Sequence, residues 1–287
     1  MLASLAGVLF DGFAYGMLLF LLSVGLTVTL GMMNFVNLAH CSFAMVGGYA
    51  TVTLMNRFGW PFLATLPMAF IAAAVLSIFL ERTLYRRLYR ASDLDQCLLT
   101  IGIVFISVAA FAWFYTSEQQ SAQVPQSLRG SVQVLGQSFA TYRIFLIAVS
   151  LAITAVLVLL LERTRFGARV RAAVDNQRMA RGLGIDVERT FMITFALGGG
   201  LAGLGGALAI QMVGLDPSFA LAYLVYVLIV VAVGGLGSIA GSFVAAVVLG
   251  ISDMAGKYYF PWLGAFLIYL VMVALLMWRP LGLLGKR

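Results

Sequence analysis

The chain has 287 residues, of which 62% are hydrophobic and 10% are charged, and its mean hydropathy is +1.03. Soluble domains carry about 25% charged residues, so these values exclude that class and indicate an integral membrane protein. The net charge of +7 comes with no nucleic-acid-binding motif, and basic membrane proteins usually carry positive charge in cytoplasmic loops. We therefore expect one polytopic domain over residues 1–287 and no nucleic-acid partner.

Long apolar runs follow one another along the whole chain. Because a spanning helix needs about 20 residues, we predict an all-α fold with about eight transmembrane helices plus a possible re-entrant or broken helix. The first run has no basic start and no small-residue cleavage site, so we expect it to be retained. The runs cover residues 8–30, 34–55, 61–80, 97–115, 143–161, 190–213, 221–234, 239–256 and 262–278.

Most of the lysines and arginines lie in three breaks between these runs, at residues 82–90, 163–189 and 279–287. The positive-inside rule places all three breaks in the cytoplasm. The break at 116–142 contains Arg129 as its only basic residue before Tyr142 and is rich in Gln and Ser, so we expect it outside.

Two breaks on the same side of the membrane must be separated by an even number of crossings, and this bears on two further segments. Residues 221–256 must cross twice or dip in and return, with the glycine-rich stretch 234–241 as the bend. Residues 34–55 leave two alternatives open. If this segment spans, the N-terminus lies outside; if it is re-entrant, the N-terminus lies inside.

Two segments place polar residues and glycines within apolar runs. Asn34, Asn37 and Cys41 share one face if the first segment is helical. Polar groups at membrane depth usually face a bundle interior or a wet cavity, and glycines also allow close helix packing. Lining of a solute path and helix packing therefore both remain open. The candidate path residues are Asn34, Asn37, His40, Ser42, Gly47, Gly48, Gly234, Gly235, Gly237 and Ser238.

Few residues in the apolar runs could support catalysis or ion coupling. His40 is the only histidine and has no partner of the kind found in a metal cluster or a catalytic set. We therefore expect no enzyme activity and no metal. The acids Asp11, Asp216 and Asp253 are expected near span ends, which disfavours an ion-coupled carrier. The Glu-Arg pairs at 81–82 and 162–163 are interpreted as interfacial anchors.

The loop at 162–189 carries seven arginines between two apolar runs and is expected to form a short helix and a turn exposed to the cytosol. No P-loop surrounds Lys257 or Lys286, so this chain is not expected to bind ATP by that motif. The loop then has two interpretations: a docking element for a motor subunit, or a positive-inside loop without a partner. Docking surface would come from Val170, Val174, Met179 and Leu183.

Several segments, in this order, give the chain a resemblance to the branched-chain amino acid ABC transporter permease family, and in particular to its shorter subunit. The resemblance extends over nearly the whole chain. The segments are Gly25-Leu26-Thr27, residues 34–42 with Asn37-x-Ala39-His40, Gly47-Gly48-Tyr49, Glu81-Arg82, residues 172–186, Pro217, residues 234–238 and Arg279-Pro280-Leu281-Gly282.

This resemblance implies a multi-pass subunit of an importer in the bacterial inner membrane. Its partners would be a second, homologous permease subunit, two cytoplasmic ATP-binding subunits and an extracytoplasmic solute-binding protein. ATP and Mg would be bound by the partner ATPases, with no cofactor in this chain. Cys41 stands where the family commonly has glycine. The resemblance implies an ATPase-coupling role for Arg171, Asp175, Asn176, Met179, Ala180, Gly184 and Ile185.

The resemblance leaves the solute open among branched-chain amino acids, urea and other amides, and small carboxylates including aromatic acids. No arginine falls in the middle of a run, so we expect the path to pass solute without a dedicated carboxylate clamp. Outside the importer class, an ATP-independent channel or carrier remains an alternative, because either could use the same glycine-rich helices.

Overall fold

The computed structural model describes residues 2–33, 35–89, 91–122, 124–134 and 137–285. Most of these residues are helical, which confirms the predicted all-α class. Every predicted apolar run contains a helix. Within the described ranges, six helices are long and apolar enough to span a membrane: Leu5–Gly31, Phe62–Leu88, Asp93–Tyr115, Thr141–Arg163, Val187–Val213 and Ile239–Tyr259.

The helices in chain order are α1 (Leu2–Met33), α2 (His40–Asn56), α3 (Phe62–Leu80), α4 (Arg86–Leu88), α5 (Asp93–Tyr115), α6 (Thr141–Arg163), α7 (Arg165–Asp175), α8 (Gln177–Gly182), α9 (Val187–Val213), α10 (Phe219–Gly234), α11 (Ile239–Tyr259) and α12 (Gly264–Trp278). A π-helical turn, Glu81–Tyr85, joins α3 to α4. A short antiparallel hairpin, which the hydropathy pattern does not predict, pairs β1 (Ser131–Val134) with β2 (Gln137–Ala140).

Helices α1 and α9 form the buried centre of the bundle, and glycines make this possible. Gly203 and Gly206 of α9 lie against α3 and α2, where an added Cβ would collide with Ala73 or with the Ala44 carbonyl. Gly16 of α1 lies against the backbone of α11 in the same way. Small residues let helices approach closely enough for dense van der Waals packing, which is the main source of helix association in lipid.

The three basic breaks lie together at one end of the bundle, as predicted. Arg86 from the first break forms an ion pair with Glu188 from the second. A cleft at the same end is lined by Arg171 of the second break and by Leu284 near the C-terminus. The break at 116–142, which we call the outer break, lies at the opposite end, where the Gln120 backbone amide donates to the Leu215 carbonyl at 2.7 Å.

The structure answers the open question about residues 34–55. The segment enters from the basic end without helical structure at 35–39, and α2 begins at His40, beside Leu22 in the middle of α1. At its other end, the Asn56 amide donates to the Ser121 carbonyl in the outer break. The segment therefore crosses as a broken helix, and α1 begins at the end opposite the basic breaks.

Helices α10 and α11 run in opposite directions, so residues 221–256 cross twice. Their connection lies at the basic end, where Leu236 and Gly237 border the same cleft as Arg171. This confirms the even number of crossings between the second and third basic breaks.

Labelling will test which end of the bundle faces the cytosol. Ser127 and Gln177 are both exposed and lie at opposite ends. After replacement of Cys41 and Cys97 by alanine, we expect an impermeant thiol reagent added to intact cells to label Ser127→Cys and not Gln177→Cys. Permeabilised cells provide the control, since both positions should then react. Labelling of both positions in intact cells contradicts the orientation.

Candidate functional site

The non-helical segment at residues 35–39 is supported by side chains of α5. The Val36 amide donates to Gln96 Oε1 at 2.9 Å, and the Leu38 amide donates to Thr100 Oγ1 at 3.2 Å. Irregular backbone at membrane depth needs such partners because lipid supplies none. Asn37 Oδ1 also accepts the Ala39 amide hydrogen at 3.1 Å, a local bond that competes with helix formation. The predicted helical face through Asn37 is therefore wrong.

The polar side chains of this first segment form hydrogen bonds within the chain. The Tyr85 hydroxyl donates to Asn37 Oδ1 at 3.4 Å, His40 Nε2 lies 3.1 Å from the Leu22 carbonyl oxygen, and Ser42 Oγ lies 2.8 Å from Ser107 Oγ. Asn37, His40 and Ser42 are all buried. The remaining member, Asn34, lies outside the described residues.

The glycines of α2 lie at helix contacts. An added Cβ at Gly47 would collide with the backbone of Gly203 in α9, and one at Gly48 would lie 2.8 Å from the Leu215 side chain. Together with the internal hydrogen bonds, these contacts favour the packing interpretation for the first group of candidate path residues. Their role in solute passage stays a prediction.

The second group of candidate path residues forms the bend between α10 and α11. Gly235 and Gly237 have φ values of +96° and +78°, which favour glycine. Gly234 lies against Ser242, Gly235 lies against Gly285 and Gly237 lies against Gly31. Ser238 caps α11 by accepting the Gly241 amide hydrogen at 3.0 Å.

The two groups do not converge on one cavity. Both contact α1, the first at Leu22 and the second at Gly31. These positions are about 13 Å apart along the helix at a rise of about 1.5 Å per residue. The bend lies at the basic end of the bundle, whereas the first group lies deeper.

The basic loop folds into two short helices, one more than predicted. Thr164 caps α7 by accepting the Gly167 amide hydrogen, and Asn176 caps α8 by accepting the Met179 amide hydrogen at 2.9 Å. Gly184 has a φ of +79°, which favours glycine and ends the loop before α9 begins. Asn176 thus has a structural role in addition to the coupling role that the resemblance implies.

Several loop side chains hold α7 and α8 against the bundle. Ala173 and Ala180 are buried in a small cluster with Phe191 of α9, and Ile185 packs beside them. Val170 is fully buried, so its predicted contribution to a docking surface is wrong. The buried residues of α7 recur every three positions, which places them on one helical face: Gly167, Val170 and Ala173.

The opposite side of the loop presents an apolar surface to solvent. Met179 and Leu183 are 68% and 80% exposed, and Val174 is 37% exposed. Leu236 of the α10–α11 bend, which was not among the predicted docking residues, is 63% exposed at the same end. We call these four residues the apolar patch. Large apolar side chains exposed at an aqueous face are typical of protein interaction sites.

A cleft of about 620 Å³ separates α7 from the α10–α11 bend. Arg171 and Asp175 border it from α7, and Gly237 and Ser238 border it from the bend. The Arg171 guanidinium also donates to the Leu161 carbonyl at the end of α6. The cleft thus brings two predicted coupling residues next to the second group of candidate path residues.

Glu81 is buried and does not act as an exposed interfacial anchor. The Tyr89 hydroxyl donates to Glu81 Oε1 at 2.8 Å. Burial, together with the neighbouring Glu81 carboxylate, raises the pKa of the Tyr89 phenol, so this hydroxyl remains a donor at physiological pH. Nothing in the sequence indicates that Tyr89, eight residues after Glu81, covers this acid.

Asp253 lies near a span end, as expected, but it is buried. It lies six residues before the end of α11, about 9 Å along the helix. Lys257 Nζ donates to Asp253 Oδ2 at 2.6 Å, whereas Asp253 Oδ1 has no hydrogen-bond partner among the described residues. An unsatisfied buried acceptor costs about 1–3 kcal/mol. The i,i+4 spacing of Asp253 and Lys257 was the sequence signal that could have identified this pair.

A second charged pair joins α1 to α6 at the outer end. Arg143 forms an ion pair with Asp11, and both side chains are partly buried. These residues border a cavity of about 950 Å³ together with Tyr258 and the hairpin residue Phe139. The pairing agrees with the expected position of Asp11 near a span end.

Cys41, which stands at the position where the resemblance implies glycine, is buried as a free thiol within the bundle. Cys97 is partly buried and is also free. Both cysteines therefore pack as small apolar side chains and form no disulfide.

Comparison with known proteins identifies the family. Residues 8–276 match the family described as "Branched-chain amino acid transport system / permease component". A "Probable branched-chain amino acid transport permease protein LivH" from Methanocaldococcus jannaschii is 30% identical, with 94% of this chain and 90% of the relative covered. The Pseudomonas aeruginosa "High-affinity branched-chain amino acid transport system permease protein BraD" is 25% identical, with 97% and 95% covered.

The longer "High-affinity branched-chain amino acid transport system permease protein LivM" of Escherichia coli is also similar, at 25% identity over 93% of this chain and 68% of the relative. No solved structure matches the chain significantly. The family match extends from the first apolar run into the last and includes the basic loop. The chain therefore belongs to the branched-chain amino acid ABC transporter permease family.

Proposed function

We propose that this chain is the non-catalytic translocation subunit of an ATP-binding-cassette importer, and that it moves branched-chain amino acids into the cell. The observation that carries the proposal is the family match over residues 8–276. Curated relatives that this chain matches over nearly their whole length are named as permeases for these solutes. The similarity to a second, longer permease supports pairing with a homologous subunit in the bacterial inner membrane.

The remaining partners follow from the same proposal. Two cytoplasmic ATPases would bind ATP and Mg, and an extracytoplasmic protein would deliver the solute. The exposed apolar patch at the basic end supports the ATPase contact, since Met179 and Leu183 face solvent where a lipid-covered surface would not be expected. This feature favours docking over the alternative of a loop without a partner.

Coupling would act through the contacts of α7. ATP-driven closure of the ATPases would move α7 and α8 as a unit, because Ala173 and Ala180 pack into one cluster with α9. Motion at Arg171 reaches α6 through its bond to Leu161. Across the cleft, Gly237 of the bend contacts Gly31 of α1. The proposal thus connects the ATPase contact to helices at the centre of the bundle.

Transport in vesicles tests this function. The vesicles contain both permeases and both ATPases, and the solute-binding protein is present at the outer face. We expect leucine uptake that requires internal ATP and both ATPases. Vesicles with a non-hydrolysable ATP analogue serve as the control. Leucine uptake by this chain alone, or uptake that is independent of ATP, contradicts the importer and supports a channel or carrier.

A further inference from the structure

The buried ion pair of α11 is the feature that the proposed function leaves unexplained. The Asp253 side chain is 1% exposed, whereas that of Lys257 is 50% exposed. Charged residues inside spanning helices are rare because lipid does not solvate them, and they usually serve a function. Asp253 Oδ1 makes no hydrogen bond to the described residues, so the carboxylate has the capacity for another donor.

The surroundings of Asp253 are suited to a primary ammonium group. Lys257 Nζ lies 2.6 Å from Asp253 Oδ2 and 5.5 Å from the ring centroid of Tyr15 in α1. An anionic oxygen on one side and an aromatic face on the other both attract a cation. Tyr223 of α10 shares a side-chain hydrogen bond with Tyr15.

Helix packing does not require this ion pair. Helices α1 and α11 already meet through glycines, because Gly12 lies against Ile251, and Gly16 and Gly250 lie against each other. Such a seam holds helices together by close backbone contact alone. A packing role for residue 253 would be met by a small or apolar side chain, without a charge and without an unpartnered oxygen.

We propose that Asp253 and the Tyr15 ring form a binding subsite for the α-ammonium group of an amino acid, and that Lys257 occupies this subsite when no solute is bound. The inference rests on the proposed function and adds a solute contact within this chain. The half-exposed lysine can withdraw on its flexible stem when a solute ammonium takes its place. The displaced Lys257 ammonium then lies next to the solute carboxylate and forms the second contact.

Direct binding to the assembled complex tests the subsite. The complex of both permeases and both ATPases is placed in nanodiscs without the solute-binding protein, and radiolabelled leucine binding is measured. Two competitors each retain half of the leucine headgroup: isopentylamine has the ammonium and 4-methylpentanoate has the carboxylate. We expect isopentylamine to displace leucine at least 10-fold more effectively than 4-methylpentanoate. This comparison uses the wild-type chain and does not depend on the folding of a variant.

Variants of Asp253 test whether the preference for isopentylamine depends on this carboxylate. We expect Asp253→Asn to weaken leucine binding at least 10-fold and to abolish competition by isopentylamine, whereas Asp253→Glu retains both. Ser252→Ala, a change at the partly exposed neighbour, is the matched control and should bind as the wild type does. A melting temperature within a few degrees of wild type for Asp253→Asn separates lost binding from lost structure.

The outcomes separate this inference from the proposed function. ATP-dependent leucine uptake, measured with the solute-binding protein in the same preparation, tests the proposed function on its own. Uptake by the wild type combined with equal competition by the two analogues overturns the subsite and leaves the importer intact. Wild-type leucine affinity in a folded Asp253→Asn complex has the same meaning.

Discussion

Replacement of the two most exposed residues of the apolar patch by aspartate is expected to uncouple transport from ATP hydrolysis. The variant Met179→Asp/Leu183→Asp places charges where a partner surface should pack, and both side chains are exposed, so the fold should remain intact. A lost docking contact of roughly 2–4 kcal/mol corresponds to ATPase binding that is about 30- to 1,000-fold weaker. Pull-down of the ATPases and leucine uptake are measured in the same membranes.

Matched variants give this experiment its controls. Met179→Leu keeps the apolar surface and should behave as the wild type, and Ser127→Asp adds a charge at the opposite end of the molecule. Both should retain ATPase pull-down and uptake. Normal pull-down and uptake by the double aspartate variant would show that the loop has no partner at this patch. Deletion of residues 179–182 is a less specific test, since it also removes the buried Ala180.

Enlargement of Gly47 is expected to prevent the bundle from folding and not simply to block a path. A valine at this position would press against the backbone of Gly203, which cannot yield as a flexible side chain can. Overpacking of a dense interior typically costs about 1–3 kcal/mol or more. We expect Gly47→Val to lower the yield of folded protein and its thermal stability, measured by fluorescence-detected size-exclusion chromatography on heated samples.

Gly102 provides the control because an added Cβ there meets no atom within 4 Å. Gly102→Val on α5 should leave stability close to wild type. The comparison also separates the two interpretations of the first polar segment. If Gly47→Val folds with wild-type stability but fails to transport leucine, Gly47 lines the solute path and the packing interpretation is wrong.

Hydropathy and charge along the chain determined the architecture of the bundle. Each apolar run contains a helix because lipid satisfies no backbone groups, so backbone that faces lipid must form its hydrogen bonds internally. The three basic breaks share one end because the same rule places each of them. The order of motifs from Gly25 to Gly282 identified the family, since agreement in many places is far more specific than any one motif.

Tertiary contacts decided what composition left ambiguous. The sequence of residues 34–55 is compatible with a span or a re-entrant segment, and the choice depends on Gln96 and Thr100, which lie on another helix and satisfy the irregular backbone. Val170 and Val174 look equivalent in the sequence. The orientation of α7 buries Val170 and exposes Val174.

The burial of Asp253 and Glu81 could not be predicted from the sequence either. Asp253 and Glu81 lie near span boundaries, where solvent exposure is the simplest expectation, and only the packing of α1, α10 and α11 or the position of Tyr89 encloses them. Local sequence specifies which segments enter the membrane because that depends on each segment's own transfer from water. The contacts between side chains inside the bundle depend on how several helices pack together. They cannot be predicted from the sequence of any one helix alone.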